Sequence, residues 1–173
     1  MNILVSRFFE ICLLRAGPQD LPASTVLLVM TLILYLVSGF LLSLINADLK
    51  KSLLLVGVDL LMLVGLSYLI LWIRMLTRRY VQTLTALAGS GAILEFTAWP
   101  LLYWQSLTSA TSGPGLLIAS LLLWAWLVWN VLVVAHVLRH TLTTSFFNGT
   151  LLSVLYMFIS VSVIRILFYS TSA

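Results

Sequence analysis

Charge is what this sequence has least of: five acidic and nine basic residues, 8% of 173 in all, against 62% hydrophobic residues. So sparse a complement excludes an ordinary soluble domain, in which about a quarter of residues are charged. The mean hydropathy of +1.15 points instead to a lipid bilayer as the solvent. One cysteine, Cys12, excludes an intramolecular disulfide. Residues 1–14 have neither the basic start nor the small-residue cleavage site of a secretory signal peptide. Long polar connectors are missing too, for ADLKK, TRRY, SLTSATSGPG and RHTLTTS are too short to carry an active site of their own. No zinc-protease signature, phosphate loop or dinucleotide fingerprint occurs. The net charge of +4 is spread along the chain and makes no case for nucleic acid. The expectation is therefore a non-enzymatic protein without cofactor or metal.

What is present is a set of apolar runs over residues 24–46, 52–76, 80–106, 116–139 and 146–169. Each approaches or exceeds the roughly 20 residues that cross a hydrocarbon core of about 30 Å. Inside lipid the backbone must satisfy its own hydrogen bonds, so the runs predict helices, and the fold class is all-α: a five-helix transmembrane bundle. Residues 1–23 stand apart as an interfacial segment. Ser6, Arg7 and Glu10 make a narrow polar stripe on an otherwise apolar helix, and GPQDLP breaks it. That pattern fits an amphipathic helix on the membrane surface, acting either in membrane sensing and partner docking or as an anchor against the bundle's own base. Pro22 suits the first turn of span one.

Arg7, Arg15, Arg74, Arg78, Arg79 and Arg139 fall on the N-terminal side of the bundle, whereas Lys50, Lys51 and Arg165 fall on the other. The excess predicts a cytoplasmic N-terminus and an external C-terminus, in a bacterial inner membrane. Within it, Arg74, Arg78 and Arg79 are candidate contacts for anionic lipid headgroups.

Charges within the spans carry the functional question, because a charge at bilayer depth is costly unless paired or wetted. Asp59, Glu95 and Arg165 are those charges, and counting 1.5 Å per residue from the cytoplasmic edge puts them at roughly 25, 22 and 28 Å. Their common depth makes them a candidate intramembrane network if spans two, three and five meet. Ala88, Gly91, Ala92, Glu95 and Ala98 share one face of span three, and small residues there permit close helix contact, so Glu95 is expected to face protein. Pro100, one turn on, would free the Phe96 carbonyl for another donor. Glu95 is then a packing carboxylate paired with Arg165, a proton- or ion-handling group, or part of a subunit interface.

Other features weigh less. His136 and His140 have the spacing of two ligands to one metal, but no third ligand accompanies them and interfacial histidines are the better reading. Asn130 suits an interhelical hydrogen bond. Trp99, Trp104, Trp124, Trp126 and Trp129 include interfacial anchors. Ser90, between Gly89 and Gly91, has no histidine at its depth to serve as the base that a nucleophile needs.

The five closely spaced helices, the stretch QTLTALAGSGAILEFTAWPL, and LLLWAWLVWNVLVVAHVL running into TTSFFNGTLL resemble the Yip (Ypt-interacting protein) family over about residues 20–170. The resemblance implies a non-enzymatic five-span bundle, associated in eukaryotes with small GTPases and vesicle membranes. This chain lacks the long cytoplasmic N-terminal region of the eukaryotic members, and no functional residue is carried over. The functional expectation is a scaffold or accessory subunit that meets the bilayer and other membrane subunits or copies of itself. The alternative is a small transporter or proton- or ion-handling component using Glu95, Asp59 and Arg165.

Overall fold

The computed structural model describes residues 2–109 and 113–169. Within them the chain is all-α, with α1 (Asn2–Cys12), α2 (Thr25–Ser43), α3 (Leu49–Ile73), α4 (Tyr80–Thr108), α5 (Pro114–Leu142) and α6 (Phe146–Tyr169). Single 3-10 turns over Pro18–Asp20 and Thr77–Arg79 lead into α2 and α4. The connector between α4 and α5 includes residues 110–112, and the C-terminus lies past 169, both outside the described residues.

Helix starts follow local chemistry. Ser24, not Pro22, opens α2: its hydroxyl accepts the Leu27 N–H at 3.4 Å, and the Pro22 carbonyl accepts the Ser24 N–H at 2.9 Å. Pro114 occupies the first turn of α5, where its missing N–H is not needed. Three helix ends close in the same way without glycine. Leu14, Met75 and Thr143 take left-handed φ angles of 61°, 56° and 49°. The next residue's N–H then reaches back to an earlier carbonyl: Arg15 to Glu10, Leu76 to Leu71 and Thr144 to Arg139.

Four helical stretches, Thr25–Ser43, Leu49–Ile73, Pro114–Leu142 and Phe146–Leu167, are long and apolar enough to cross a membrane. Their exposed faces carry Val26, Ile33, Leu61, Leu121 and Phe158, the composition that lipid covers in an integral membrane protein. Helix α4, expected as a span of the same kind, has the length, 29 residues, but falls outside that set. Its composition explains why. It packs against α1, α2, α3 and α5, and the residues it buries are small or hydroxylated: Thr83, Thr85, Ala86, Ala88, Ser90, Ala92 and Ala98. The hydroxyls of Thr83, Thr85 and Ser90 donate to carbonyls one turn back at 2.7–2.8 Å, so they enter the core satisfied.

Helix α1 is an anchor on the bundle. Phe8, Ile11 and Cys12 are buried, and the Phe8 ring occupies the space that a Cβ on Gly89 would need. The chain after it is stitched to α4 and α5 by three side chains that donate to its carbonyls. Trp129 Nε1 reaches Cys12 at 3.1 Å, His136 Nε2 reaches Ala16 at 3.0 Å and Gln82 Nε2 reaches Leu21 at 2.9 Å. The polar stripe remains outside, where Arg7 pairs with Glu10 at 2.8 Å.

Candidate functional site: two carboxylates inside the bundle

Asp59 lies fourteen residues from the end of α3 at Ile73, and Glu95 fifteen from the start of α4 at Tyr80. At 1.5 Å per residue both sit about 21–22 Å from the same end of the bundle. The helices bring them together: both line a cavity of about 310 Å³ beside Gly39, Ser43 and Asn46, and another of about 320 Å³ beside Tyr35, Asn130, Tyr156 and Ser160. A third cavity, of about 70 Å³, continues from Glu95, Tyr35 and Asn130 toward Ser67 and Leu138. Leu71, Leu84 and Leu138, almost fully buried, pack the bundle toward that end.

Each carboxylate is held by a hydroxyl from α2. Ser38 Oγ donates to Glu95 Oε2 at 2.5 Å, and the Tyr35 hydroxyl donates to Asp59 Oδ2. Ser160, buried on α6, lines the same cavity as Asp59. These contacts depend on a seam between α2 and α4 in which each helix offers a notch to the other. The Tyr35 ring lies where a Cβ on Gly91 would come within 2.8 Å of its Cε2. Four residues along, a Cβ on Gly39 would come within 3.2 Å of Glu95 Oε1. The expected small-residue face of α4 is therefore turned inward, and Glu95 with it.

Arg165 does not join the pair. It is exposed on α6, and among the described residues the ion pair formed is Arg7–Glu10, remote from both carboxylates. Arg165 stands nineteen residues from the start of α6, about 28 Å from the same end of the bundle and more than a turn beyond the carboxylates, and azimuth separates it further. Ser160 and Ile164 turn toward Asp59, and Arg165, one residue beyond Ile164, is rotated by about 100° and faces outward. Two ionised carboxylates without a basic partner cost several kcal/mol at bilayer depth, of which their hydroxyl bonds offset only part. A proton or a cation bound between them removes that cost.

The remaining candidates have structural employment. Besides its bond to Ala16, His136 stacks edge-on against His140 at 4.5 Å, and His140 Nε2 accepts from Arg139 at 3.4 Å. His136 is thus a buried tie to the chain after α1 rather than an interfacial residue. No group of three metal-ligating side chains occurs among the described residues. Ser90 is buried and donates to Ala86. Trp126 and Trp129 donate to backbone within the bundle, whereas Trp99 stacks on Tyr103 near the far end of α4. Helix α4 runs through Pro100, and the outside donor near that turn, Trp126 Nε1, goes to the Leu94 carbonyl at 3.1 Å rather than to Phe96. Asn130 faces the cavities beside Glu95, while the α5–α6 bond at that level is made by Ser153 to the Val131 carbonyl at 2.9 Å. The three arginines of the cluster, Arg74, Arg78 and Arg79, are all exposed, and Arg79 also donates to the Thr141 carbonyl at 3.1 Å.

Sequence reasoning missed Tyr35, Ser38, Gly39, Tyr156 and Ser160. A signal for three of them was present: Tyr35, Ser38 and Gly39 stand three and four residues apart on the otherwise apolar α2. No family model, curated protein or solved structure matches the chain. The resemblance to the Yip family accordingly rests on the stretches quoted above.

Proposed function

We propose that the chain is a five-span membrane protein that takes up a proton or a small cation at the Asp59–Glu95 pair, as a small transporter or an ion-handling component of a membrane complex. The observation that carries the reading is two partly buried acidic side chains that share two open cavities, are bonded to hydroxyls and lack a basic partner among the described residues. The chemistry required is charge compensation, and no covalent step is invoked. In this reading α4 is the fifth span, its first half covered by its neighbours and its second half exposing Phe96, Trp99, Tyr103 and Leu107. The arginine excess at the end holding α1 faces the cytoplasm of a bacterial cell, with the C-terminus external.

A second reading is favoured by the same hydroxyl bonds. Because Tyr35 ties α2 to α3 and Ser38 ties α2 to α4, the pair also fits a packing device in a non-enzymatic scaffold or accessory subunit of Yip type.

Glu95→Gln and Asp59→Asn separate the two readings, since each amide still accepts the hydroxyl bond but cannot ionise. In liposomes, ion-sensitive dyes would report proton or alkali-cation uptake. Loss of uptake in variants that melt like the parent supports the ion-handling reading. If the parent moves no ion and takes up no proton at the pair, and both variants co-purify with its partners unchanged, the first reading fails and the packing reading stands.

A further inference from the structure

At the end of the bundle opposite the carboxylate cavities, the Pro18–Asp20 turn docks between the start of α4 and the end of α5 and leaves a cavity of about 190 Å³. Its polar lining is Gln19, Arg79, Gln82, Thr83, His140 and Thr141. These side chains are placed by specific contacts. Arg79 Nη1 is pinned to the Thr141 carbonyl at 3.1 Å, which fixes the guanidinium at the rim. Gln82 is held by the Leu21 carbonyl at 2.9 Å, and Thr83 and Thr141 share a hydroxyl bond at 3.1 Å. The Gln19 amide folds over Gly17 so closely that a Cβ there would lie 2.7 Å from its Cδ. Gly17 has an ordinary extended φ of −114°, so its hydrogen side chain serves this approach and not a backbone requirement.

We propose that this cavity binds the phosphate of an anionic phospholipid headgroup. Level and charge support it. The cavity lies at the first turn of α4 and the last of α5, where a bilayer places its headgroups, and Arg79 lines it, with Arg78 and Arg139 next in sequence to the lining residues Arg79 and His140. The acid nearby, Asp20, is engaged by the Gly17 N–H at 2.8 Å. A guanidinium fork and the amides of Gln19 and Gln82 are the donor set that a phosphodiester accepts from, whereas the buried Thr83 and Thr141 hydroxyls, which donate to the Arg79 and Val137 carbonyls, only line the cavity. The site is narrower than the arginine cluster of the connector: Arg79 belongs to it, and Arg74 and Arg78 do not line it.

The test is retention of phosphatidylglycerol against phosphatidylcholine in mild detergent, read by native mass spectrometry, with inorganic phosphate as competitor. Arg79→Gln and Gly17→Ala are expected to lower phosphatidylglycerol retention at least tenfold. Arg74→Gln and Arg78→Gln, which remove equal charge from the same rim, should change it less than twofold. Equal losses across all three arginine variants would overturn the site in favour of a diffuse field, and so would equal retention of the two lipids. Competition by inorganic phosphate as effective as that by added phosphatidylglycerol would identify a site for free phosphate instead. If Gly17→Ala fails to fold, Gln19→Ala, which removes the amide without crowding, takes its place with the same expected loss.

Discussion

Gly91→Ala tests whether the α2–α4 seam is what holds the carboxylate site. The added Cβ would sit 2.8 Å from Cε2 and 3.0 Å from Cδ2 of Tyr35. Carbon atoms pack best at about 3.5–4.0 Å, so the ring has to retreat by about 0.7 Å. It has little room to do so, being 8% exposed and bonded through its hydroxyl to Asp59. Overpacking of this kind costs about 1–3 kcal/mol. Replacing a helical glycine by alanine returns at most about 1 kcal/mol, and less where the unfolded reference is already helical in the membrane mimetic. The expected net loss is about 1–2 kcal/mol, measured by denaturant titration in mild detergent with tryptophan fluorescence. Tyr35→Leu removes the ring, and in that background Gly91→Ala is expected to be neutral or stabilising, a coupling of about 1–3 kcal/mol. Gly57→Ala and Gly65→Ala are the controls, because a Cβ at either meets nothing within 4 Å. If Gly91→Ala destabilises equally with and without the ring, or if the controls lose as much, the seam is not what the geometry says it is.

Gly149→Ala should be costlier than Gly91→Ala, because the new Cβ meets backbone, the Ala135 carbonyl oxygen at 2.6 Å, which no side-chain rotation relieves; a loss of about 2–3 kcal/mol in the same titration is expected. Met75→Gly should stabilise by about 0.5–1 kcal/mol, since Met75 is 87% exposed and holds a φ of 56° in which only glycine is unstrained. Burial pushes the Cys12 thiol up to about 11 from 9.0, and the thiolate is the reactive form, so maleimide labelling of the folded protein should be about a hundredfold slower than that of the denatured chain at neutral pH. The sign also fixes the stability effect: the raised folded-state value contributes fully below about 9 and is lost as pH rises through about 11. Labelling at equal rates would show Cys12 to be outside the core.

Much of the architecture was readable because its signal is coarse. Helix α6 begins where the apolar run begins, at Phe146. The start of α2 was misplaced from Pro22 to Thr25 because two start signals, a proline and a serine, compete within three residues, and the serine makes the bond. The inward face of Glu95 was legible from Ala88, Gly91 and Ala92 alone. What one helix's periodicity cannot give is which neighbour it meets. Arg165 lies more than a turn beyond the carboxylates and on another azimuth, whereas Tyr35 and Ser38, ordinary side chains in the sequence, reach them because α2 lies against α4. The same limit applies at the other end, where Arg74, Arg78 and Arg79 look equivalent until the Pro18–Asp20 turn selects Arg79 for the cavity.

The helix that hydropathy ranks lowest is the one at the centre, and the two facts have one cause. A helix facing lipid must be apolar all round its exposed arc, whereas the first half of α4, enclosed by α1, α2, α3 and α5, is freed from that requirement and can carry Thr83, Thr85, Ser90 and Gly91, with Glu95 at its edge; beyond it Phe96, Trp99, Tyr103 and Leu107 are exposed. Those residues bring the neighbours close, through Gly89 to Phe8 and Gly91 to Tyr35, and the closeness lets α2 supply the hydroxyl that Glu95 needs. Polarity and enclosure therefore support each other, and neither is stable alone: α4 without its neighbours is a poor span, and without the small residues of α4 the neighbours cannot cover it. In the proposed five-span arrangement Glu95 is tolerated at depth only while α2 covers it, so a motion that lifted α2 from Gly91 would expose the carboxylate, and a proton or cation held there would stabilise the closed seam.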